Sequence, residues 1–168
     1  MNFASIDVLI LDVDGVLTDG TIVTTADGDG ARRFNVQDGC ALKLWQRCGG
    51  KVAIISGRGG EAVTRRADEL GIDWVHTGIS EKLPVYEAIL AEAGCTDEAV
   101  AYLGDDLPDL PPLARAGFPV AVADAVPVVK RASSYVTRRR GGCGAVAEVI
   151  ELLLRKKKRW SRALLSQV

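Results

Sequence analysis

The sequence is poor in the residues that build zinc sites. It has one histidine, His76, and its four cysteines never stand in a Cys-x-x-Cys spacing. This composition argues against a zinc centre, which needs several cysteine or histidine ligands close together. We expect His76 to end a strand, and the thiols to be reduced and mostly buried, acting as small apolar side chains. The cysteines are Cys40, Cys48, Cys95 and Cys143.

Excess charge and long apolar runs are also lacking. The formal net charge of the 168 residues is −1, so the protein lacks the overall positive charge that would indicate a nucleic-acid partner. No apolar run approaches the length of a membrane span, and the first residues lack the basic and apolar regions of a signal peptide. The basic run 155–159 is expected to be the solvated end of a helix. These features predict a cytoplasmic protein with no membrane partner.

The most informative segment that is present covers residues 6–18. The apolar run Val8 to Val13, interrupted only by Asp12, predicts a buried parallel strand. A carboxylate is costly inside such a strand, so Asp12 and Asp14 are expected where the strand leaves the sheet. Gly15 then allows a tight turn. Two carboxylates at this spacing can share a hard cation and leave one oxygen free to attack.

Apolar strands alternate with helical patterns along the rest of the chain. This alternation predicts a parallel, doubly wound α/β sheet. The composition, 48% apolar and 26% charged, fits one globular domain spanning residues 1–168, with a basic C-terminal tail at about 155–168. The predicted strands are 51–56, 73–76, 99–103, 118–122 and 134–136, and the predicted helices are 61–70, 82–93, one ending at 117, and 145 to about 158.

Residues 20–36 depart from the alternation. Two β-like runs, 21–25 and 31–36, flank two Asp-Gly pairs, which are strong turn signals. The pattern predicts a β-hairpin near the mouth of the site that packs between subunits, with Ile22, Val23 and Phe34 as the contacts buried there.

Further polar residues follow the other predicted strands. Ser56, Gly57 and Arg58 could bind phosphate oxygens through a hydroxyl and two backbone amides at a helix start, although this pattern is also a plain helix cap. Lys82 opens a helix, where the dipole disfavours a cation unless an anion holds it. Three carboxylates follow the strand 99–103: Asp105, Asp106 and Asp109. Carboxylates this close need a cation or water between them. The alternative is that they form the solvated start of a helix.

In this order the four motifs resemble those of the haloacid dehalogenase-like phosphohydrolases. The resemblance implies a three-layer α/β/α Rossmann-like core with a parallel sheet. It implies that Asp12 is the nucleophile and Asp14 the general acid and base, and that Ser56 and Lys82 bind the phosphoryl group. It also implies a Mg²⁺ ion held by Asp12, by the backbone carbonyl of Asp14 and by Asp105, with Asp106 and Asp109 as further candidates near metal-bound water.

Longer stretches around residues 34–39, 55–58, 102–109, 120–125 and 141–146 resemble the 3-deoxy-D-manno-octulosonate 8-phosphate (KDO 8-phosphate) phosphatases and their sialic-acid-type relatives. This resemblance implies a sugar-acid phosphate substrate and a homotetramer with the hairpin at the interface. The short spacings between motifs leave no room for a cap domain. Three arginines common in that subfamily are replaced here by Gln37, Cys143 and Ala147.

Several alternatives stay open at this stage. The substrate could be a nine-carbon, sialic-acid-type sugar-acid phosphate, with Arg58 and Arg66 as candidates for contacting the sugar acid. A non-catalytic oligomerisation module, related to domains fused to cytidylyltransferases, is a second alternative. A phospho-receiver protein is disfavoured, because its nucleophilic aspartate and its acidic pair follow strands in the reverse order.

Overall fold

The computed structural model describes residues 2–24 and 31–165, in which six strands form one parallel sheet. The strand order is β3-β2-β1-β4-β5-β6, and every pair of neighbours is parallel. The strands are β1 (Val8–Leu11), β2 (Lys51–Ile55), β3 (Trp74–His76), β4 (Val100–Gly104), β5 (Phe118–Ala121) and β6 (Tyr135–Val136).

Seven helices pack around this sheet in the described chain: α1 (Val36–Arg47), α2 (Glu61–Leu70), α3 (Lys82–Ala93), α4 (Leu110–Arg115), α5 (Pro127–Ala132), α6 (Ala145–Lys156) and α7 (Trp160–Leu165). Helix α1 packs on α6, whereas α3 packs on α4 and α4 on α5. Because the strand order reverses beside β1, right-handed crossovers carry helices to both faces of the sheet. The predicted three-layer α/β/α fold is confirmed. No described helix combines the length and apolar character needed to cross a membrane.

The sequence patterns explain the helix ends. Helices α2 and α3 occupy the predicted ranges, and each is followed by a glycine in the left-handed conformation, Gly71 and Gly94. This conformation satisfies the last backbone carbonyls at no steric cost only when the residue has no side chain. No range was predicted for α1, α5 or α7. Helices α5 and α7 have only six residues each, too short an apolar pattern to identify, whereas α1 begins at the last residue of the predicted strand 31–36.

Strand β1 lies at the centre of the sheet and sets the height of the site. All of its residues are buried, and Leu11 pairs in register with Ile54 of β2 and Leu103 of β4. The strand is shorter than predicted. After Asp12 the chain turns, and the amides of Val16, Leu17 and Thr18 all donate to the carbonyl of Val13. The three central strands therefore end side by side.

The predicted β-hairpin at 20–36 is not seen in its described parts. Residues 21–24 and 31–35 form no strand, and Val36 begins α1 because the side chain of Asn35 accepts a hydrogen bond from the amide of Gln37. Two isolated strands are only marginally stable without a sheet or helix to pack on. The predicted tip, residues 27–30, lies outside the described residues.

Two smaller expectations are wrong. Cys40 and Cys143 are exposed rather than buried, although all four cysteines are free as predicted. Lys157, in the basic run, is not solvated. Its ammonium group donates to the carbonyls of Ala4 and Ile6 and to the carboxylate of Asp7, so it fixes the N-terminal segment to the end of α6.

Candidate active site

A cavity of about 450 Å³ opens at the carboxyl edge of the sheet, where the strand order reverses. Open α/β sheets bind ligands at this place, because the loops after neighbouring strands diverge there. The four predicted catalytic residues, Asp12, Asp14, Ser56 and Lys82, all line the cavity. The other lining residues are Gly20, Ile22, Gly57, Arg58, Ile79, Ser80, Asp105, Asp106, Pro108 and Asp109.

Asp12 and Lys82 form a buried ion pair at the base of the cavity. The Lys82 Nζ lies 2.8 Å from Asp12 Oδ1 and 2.7 Å from Asp109 Oδ1. Lys82 is the first residue of α3, where the helix dipole disfavours it, so the two carboxylates account for its position.

Asp109 joins several donors at the base of the site, a role different from the predicted contact with metal-bound water. Its Oδ1 accepts from Lys82 and from the hydroxyl of Tyr102 at 2.8 Å. Its Oδ2 accepts from the amides of Asp105 and Asp106, at 2.9 and 3.2 Å. Both oxygens are therefore engaged by protein donors. The sequence analysis did not single out Tyr102, although it is the one residue of β4 with a side-chain hydroxyl, a group that needs a partner when it is buried.

Asp106 contributes to the backbone rather than to the charge cluster. Its exposed side chain accepts a hydrogen bond from the amide of Leu107 and caps a short 3-10 helix, Leu107–Asp109. This capping agrees with the alternative interpretation of the motif as the solvated start of a helix.

Asp105 carries the feature that points to a cation. Its Oδ1 is buried and is the only such side-chain atom in the described chain without a hydrogen-bond partner. Asp12, Asp105 and Asp109 each offer an oxygen within 4.8 Å of the others. Since Asp109 is already satisfied, Asp12 and Asp105 are the carboxylates that fit a hard divalent cation, which prefers oxygen ligands.

Burial and the mutual repulsion of the carboxylates shift the pKa values of this cluster. Burial, and then repulsion from Asp109, raises the pKa of Asp12 to about 6, although Lys82 opposes the shift. Burial, with Asp12 and Asp109, raises the pKa of Asp105 to about 8. For Lys82, burial lowers the pKa, but attraction to Asp12 and Asp109 outweighs it, so the pKa is raised overall. The site therefore gathers more negative charge than its one lysine offsets.

Gly15 is required by this packing. Its φ of +98° is left-handed, and a side chain there would collide with the carboxylate of Asp105. A glycine at this position lets the loop after β1 approach the loop after β4.

The predicted phosphate loop lies on the opposite side of Asp12. Ser56 is buried at the end of β2, and its hydroxyl accepts a weak bond from the amide of Arg58 at 3.3 Å. Gly57 and Arg58 are exposed and line the cavity. These donors face the same space as Lys82.

Arg66 does not join this set. Its guanidinium lies 2.7 Å from Glu69 and packs over the ring of Phe34, beside Gly39 of α1. It is absent from the described residues that line the cavity. From its spacing along α2, Arg66 was expected to face the substrate together with Arg58. In the structure its side chain packs against α1 instead.

Asp14 is engaged by a residue that the sequence reasoning did not single out. Arg32 Nε donates to Asp14 Oδ1 at 2.9 Å, and Arg32 Nη2 donates to Oδ2 at 3.4 Å. The two residues are 18 positions apart, and no sequence pattern connects them.

The three substituted arginine positions lie away from this cavity. Gln37 accepts a hydrogen bond from Arg139, and both line a second cavity of about 420 Å³ between α1 and α6, together with Ala147. The exposed Cys143 precedes Gly144, whose amide donates to the buried carboxylate of Asp38.

Comparison with known proteins identifies the family. The model of the haloacid dehalogenase-like hydrolases matches residues 75–150. The chain is 46% identical over 151 residues to the KDO 8-phosphate phosphatase of Yersinia pestis, covering 90% of this chain and 81% of that protein. This chain belongs to the KDO 8-phosphate phosphatase family of haloacid dehalogenase-like hydrolases.

Solved structures of family members agree with the fold. The Y. pestis phosphatase superposes with a TM-score of 0.93 at 43% identity, covering 95% of this chain and 86% of that chain. The phosphatase of Moraxella catarrhalis, in complex with magnesium, phosphate and KDO, gives a TM-score of 0.95 at 36% identity, covering 99% and 96% of the two chains.

Proposed function

We propose that this protein is a Mg²⁺-dependent phosphatase that hydrolyses KDO 8-phosphate. The observation that carries the proposal is the pairing of Asp12 with Lys82 beside the unpartnered oxygen of Asp105. A nucleophile, a fixed cation and a metal-binding carboxylate thus meet in one cavity. The family relationship supports the substrate, since the Y. pestis relative is a KDO 8-phosphate phosphatase and the M. catarrhalis structure contains KDO.

The proposed reaction has two steps. Asp12 attacks phosphorus and forms an aspartyl-phosphate, while Asp14 gives a proton to the departing sugar oxygen. Asp14 then takes a proton from water, which attacks the phosphoryl group and releases Asp12. Because each step transfers one proton through the same carboxyl group, Asp14 ends in the form in which it began.

The remaining groups bind and neutralise the phosphoryl oxygens. Lys82 supplies a fixed positive charge, and Ser56 with the amides of Gly57 and Arg58 supplies hydrogen-bond donors. Asp12, the carbonyl of Asp14 and Asp105 would hold the Mg²⁺ ion, which supplies further positive charge against the developing negative charge. Arg58, which lines the cavity, is our candidate for contacting the sugar acid.

A substrate panel tests this function. We expect kcat/KM for KDO 8-phosphate to exceed that for a five-carbon sugar phosphate without a carboxylate by about 100-fold or more, since unpaired polar groups reject the smaller substrate. Turnover is measured as phosphate release with Mg²⁺. A preference for a nine-carbon sugar-acid phosphate would change the substrate but keep the enzyme. No turnover of any sugar phosphate would favour the non-catalytic oligomerisation module.

Metal binding should depend on pH. A metal ion must displace protons from Asp12 and Asp105, whose pKa values are about 6 and about 8. We expect Mg²⁺ affinity, measured by calorimetry, to rise from pH ~5.5 to ~8.5 and then level off.

The stability of the metal-free protein should change in the opposite direction. Raised carboxyl pKa values favour the folded state below the ordinary value of 3.8, and this contribution is lost as pH rises through about 6 and about 8. The Tm with a chelator should therefore fall over this range, and Mg²⁺ should reverse the fall. Affinity that does not vary with pH would contradict the assignment of these two carboxylates.

We also propose that residues 1–168 act as one domain, in the cytoplasm, within a homotetramer. Ile22 and Val23 expose 44% and 45% of their surface, and Ile22 lines the cavity. A capless enzyme needs another wall to exclude water, and a neighbouring subunit packed on this segment would supply it. Phe34 contacts Arg66 within the chain and would extend the same surface.

Light scattering tests the assembly. We expect the parent to be a closed oligomer and Val23→Asp to dissociate it, with a fall in kcat/KM of about tenfold or more, because an interface tolerates no unpaired buried charge. Val75→Asp is the matched control, since Val75 is also exposed, at 37%, but lies on the edge strand β3. A fully active monomer would refute the shared wall.

A further inference from the structure

Arg32 joins two loops of the site through one guanidinium. Besides its two contacts with Asp14, its Nη2 donates to the carbonyl of Gly59 at 3.2 Å. Asp14 belongs to the loop after β1, and Gly59 follows the phosphate-binding residues after β2. The guanidinium therefore fixes the distance between the acid–base residue and the phosphate loop.

The burial of this pair distinguishes it from the surface ion pairs. The Arg32 side chain is 7% exposed and that of Asp14 is 16% exposed. Its neighbour Arg33 is 88% exposed and lies 3.8 Å from Asp19. Exposed ion pairs such as Arg33–Asp19 contribute little to stability. A planar guanidinium that makes two contacts to one carboxylate also fixes the orientation of that carboxylate.

The two oxygens of Asp14 are held unequally. Oδ1 accepts the short bond from Nε, at 2.9 Å. Among the described residues, Oδ2 accepts only the 3.4 Å contact from Nη2, which also donates to the carbonyl of Gly59. Oδ1 is thus the anchored oxygen, and Oδ2 is the one more available to exchange a proton.

We propose that Arg32 is the positioning residue for proton transfer by Asp14: it orients the carboxyl group through Oδ1, and Oδ2 exchanges the proton. The inference rests on the proposed phosphatase reaction. In the first step the proton moves from Asp14 to the sugar oxygen as the phosphorus–oxygen bond breaks and its electron pair stays on that oxygen. In the second step a proton moves from water to Asp14 as the water oxygen bonds to phosphorus and the bond between phosphorus and the Asp12 oxygen breaks. Arg32 gives and takes no proton in either step.

The first test compares Arg32→Gln with Arg33→Gln, which remove the same charge from adjacent positions. We expect Arg32→Gln to lower kcat by about 10- to 100-fold with KM within about twofold, because misplacing a proton donor slows the chemistry rather than binding. Arg33→Gln should stay within about twofold of the parent. Arg32→Lys keeps the charge without the two-pronged geometry and should recover only part of the loss.

A double-mutant cycle with Asp14→Asn separates positioning from general destabilisation. If Arg32 acts through Asp14, adding Arg32→Gln to Asp14→Asn should lower the residual rate by less than about twofold. Additive losses, or a raised KM at unchanged kcat, would overturn the proposal. Thermal melts identify variants that fail to fold, and Arg32→Lys then replaces Arg32→Gln in the cycle. An active parent with fully active Arg32 variants overturns this inference alone, whereas an inactive parent overturns the phosphatase function as well.

Discussion

Asp12→Asn is expected to lower kcat by more than about 10⁴-fold, the scale on which an enzyme loses its nucleophile. An amide oxygen cannot form the acyl-phosphate that the two-step reaction requires. With the parent enzyme, acid quenching during turnover of a labelled substrate should trap phosphate on the protein, and with Asp12→Asn it should trap none.

The same variant should remain folded. Asparagine has nearly the shape of aspartate, and Asp109 still pairs with Lys82. Removing one charge also relieves repulsion among buried carboxylates, so we expect the Tm to stay constant or rise. Asp68→Asn, at an exposed position of α2, is the control for the loss of one charge and should be fully active. Appreciable turnover by Asp12→Asn would exclude the covalent mechanism.

Asp105→Ala should have the second-largest effect. We expect kcat/KM to fall by about 10³-fold and Mg²⁺ to lose its stabilising effect, since the variant lacks the carboxylate whose buried Oδ1 has no hydrogen-bond partner in the described chain. Chelation should inactivate the parent, and added Mg²⁺ should restore it. The measurements are initial rates and Tm values across a Mg²⁺ titration.

Asp106→Asn is the matched control for this prediction. Asp106 is adjacent to Asp105 and carries the same charge, but its side chain caps the 3-10 helix. Asparagine caps as well as aspartate, so the variant should stay within about fivefold of the parent. If Asp105→Ala proved as active as Asp106→Asn, the metal would be placed wrongly.

The strand ends were predictable because they depend on local patterns. Apolar runs identify the buried strands, and the glycines after α2 and α3 identify where those helices stop. Since parallel strands end at one edge of a sheet, the polar residues that follow them were expected to meet. Asp12, Ser56, Lys82 and Asp105 do line one cavity.

The failures concern segments without a dominant pattern. The runs around residues 21–24 and 31–35 look like strands, but β propensity reflects the packing surface more than the backbone. Arg66 lies two helical turns after Arg58, which suggested a substrate contact, yet its guanidinium packs over the ring of Phe34. Gln37 and Ala147 replace expected arginines, but they lie at the second cavity, so their substitution does not alter the lining of the first.

The sequence by itself determined the six strands of the sheet, four of the helices, the residues at the strand ends, and the family. Only the tertiary structure decided which carboxylate remains unpartnered, that Tyr102 and Lys82 share Asp109, and that Arg32 reaches Asp14. The physical reason is the range of the interactions. Helix stops and strand patterns act between neighbours in the chain, whereas these hydrogen bonds join loops whose distance depends on the order of strands in the sheet.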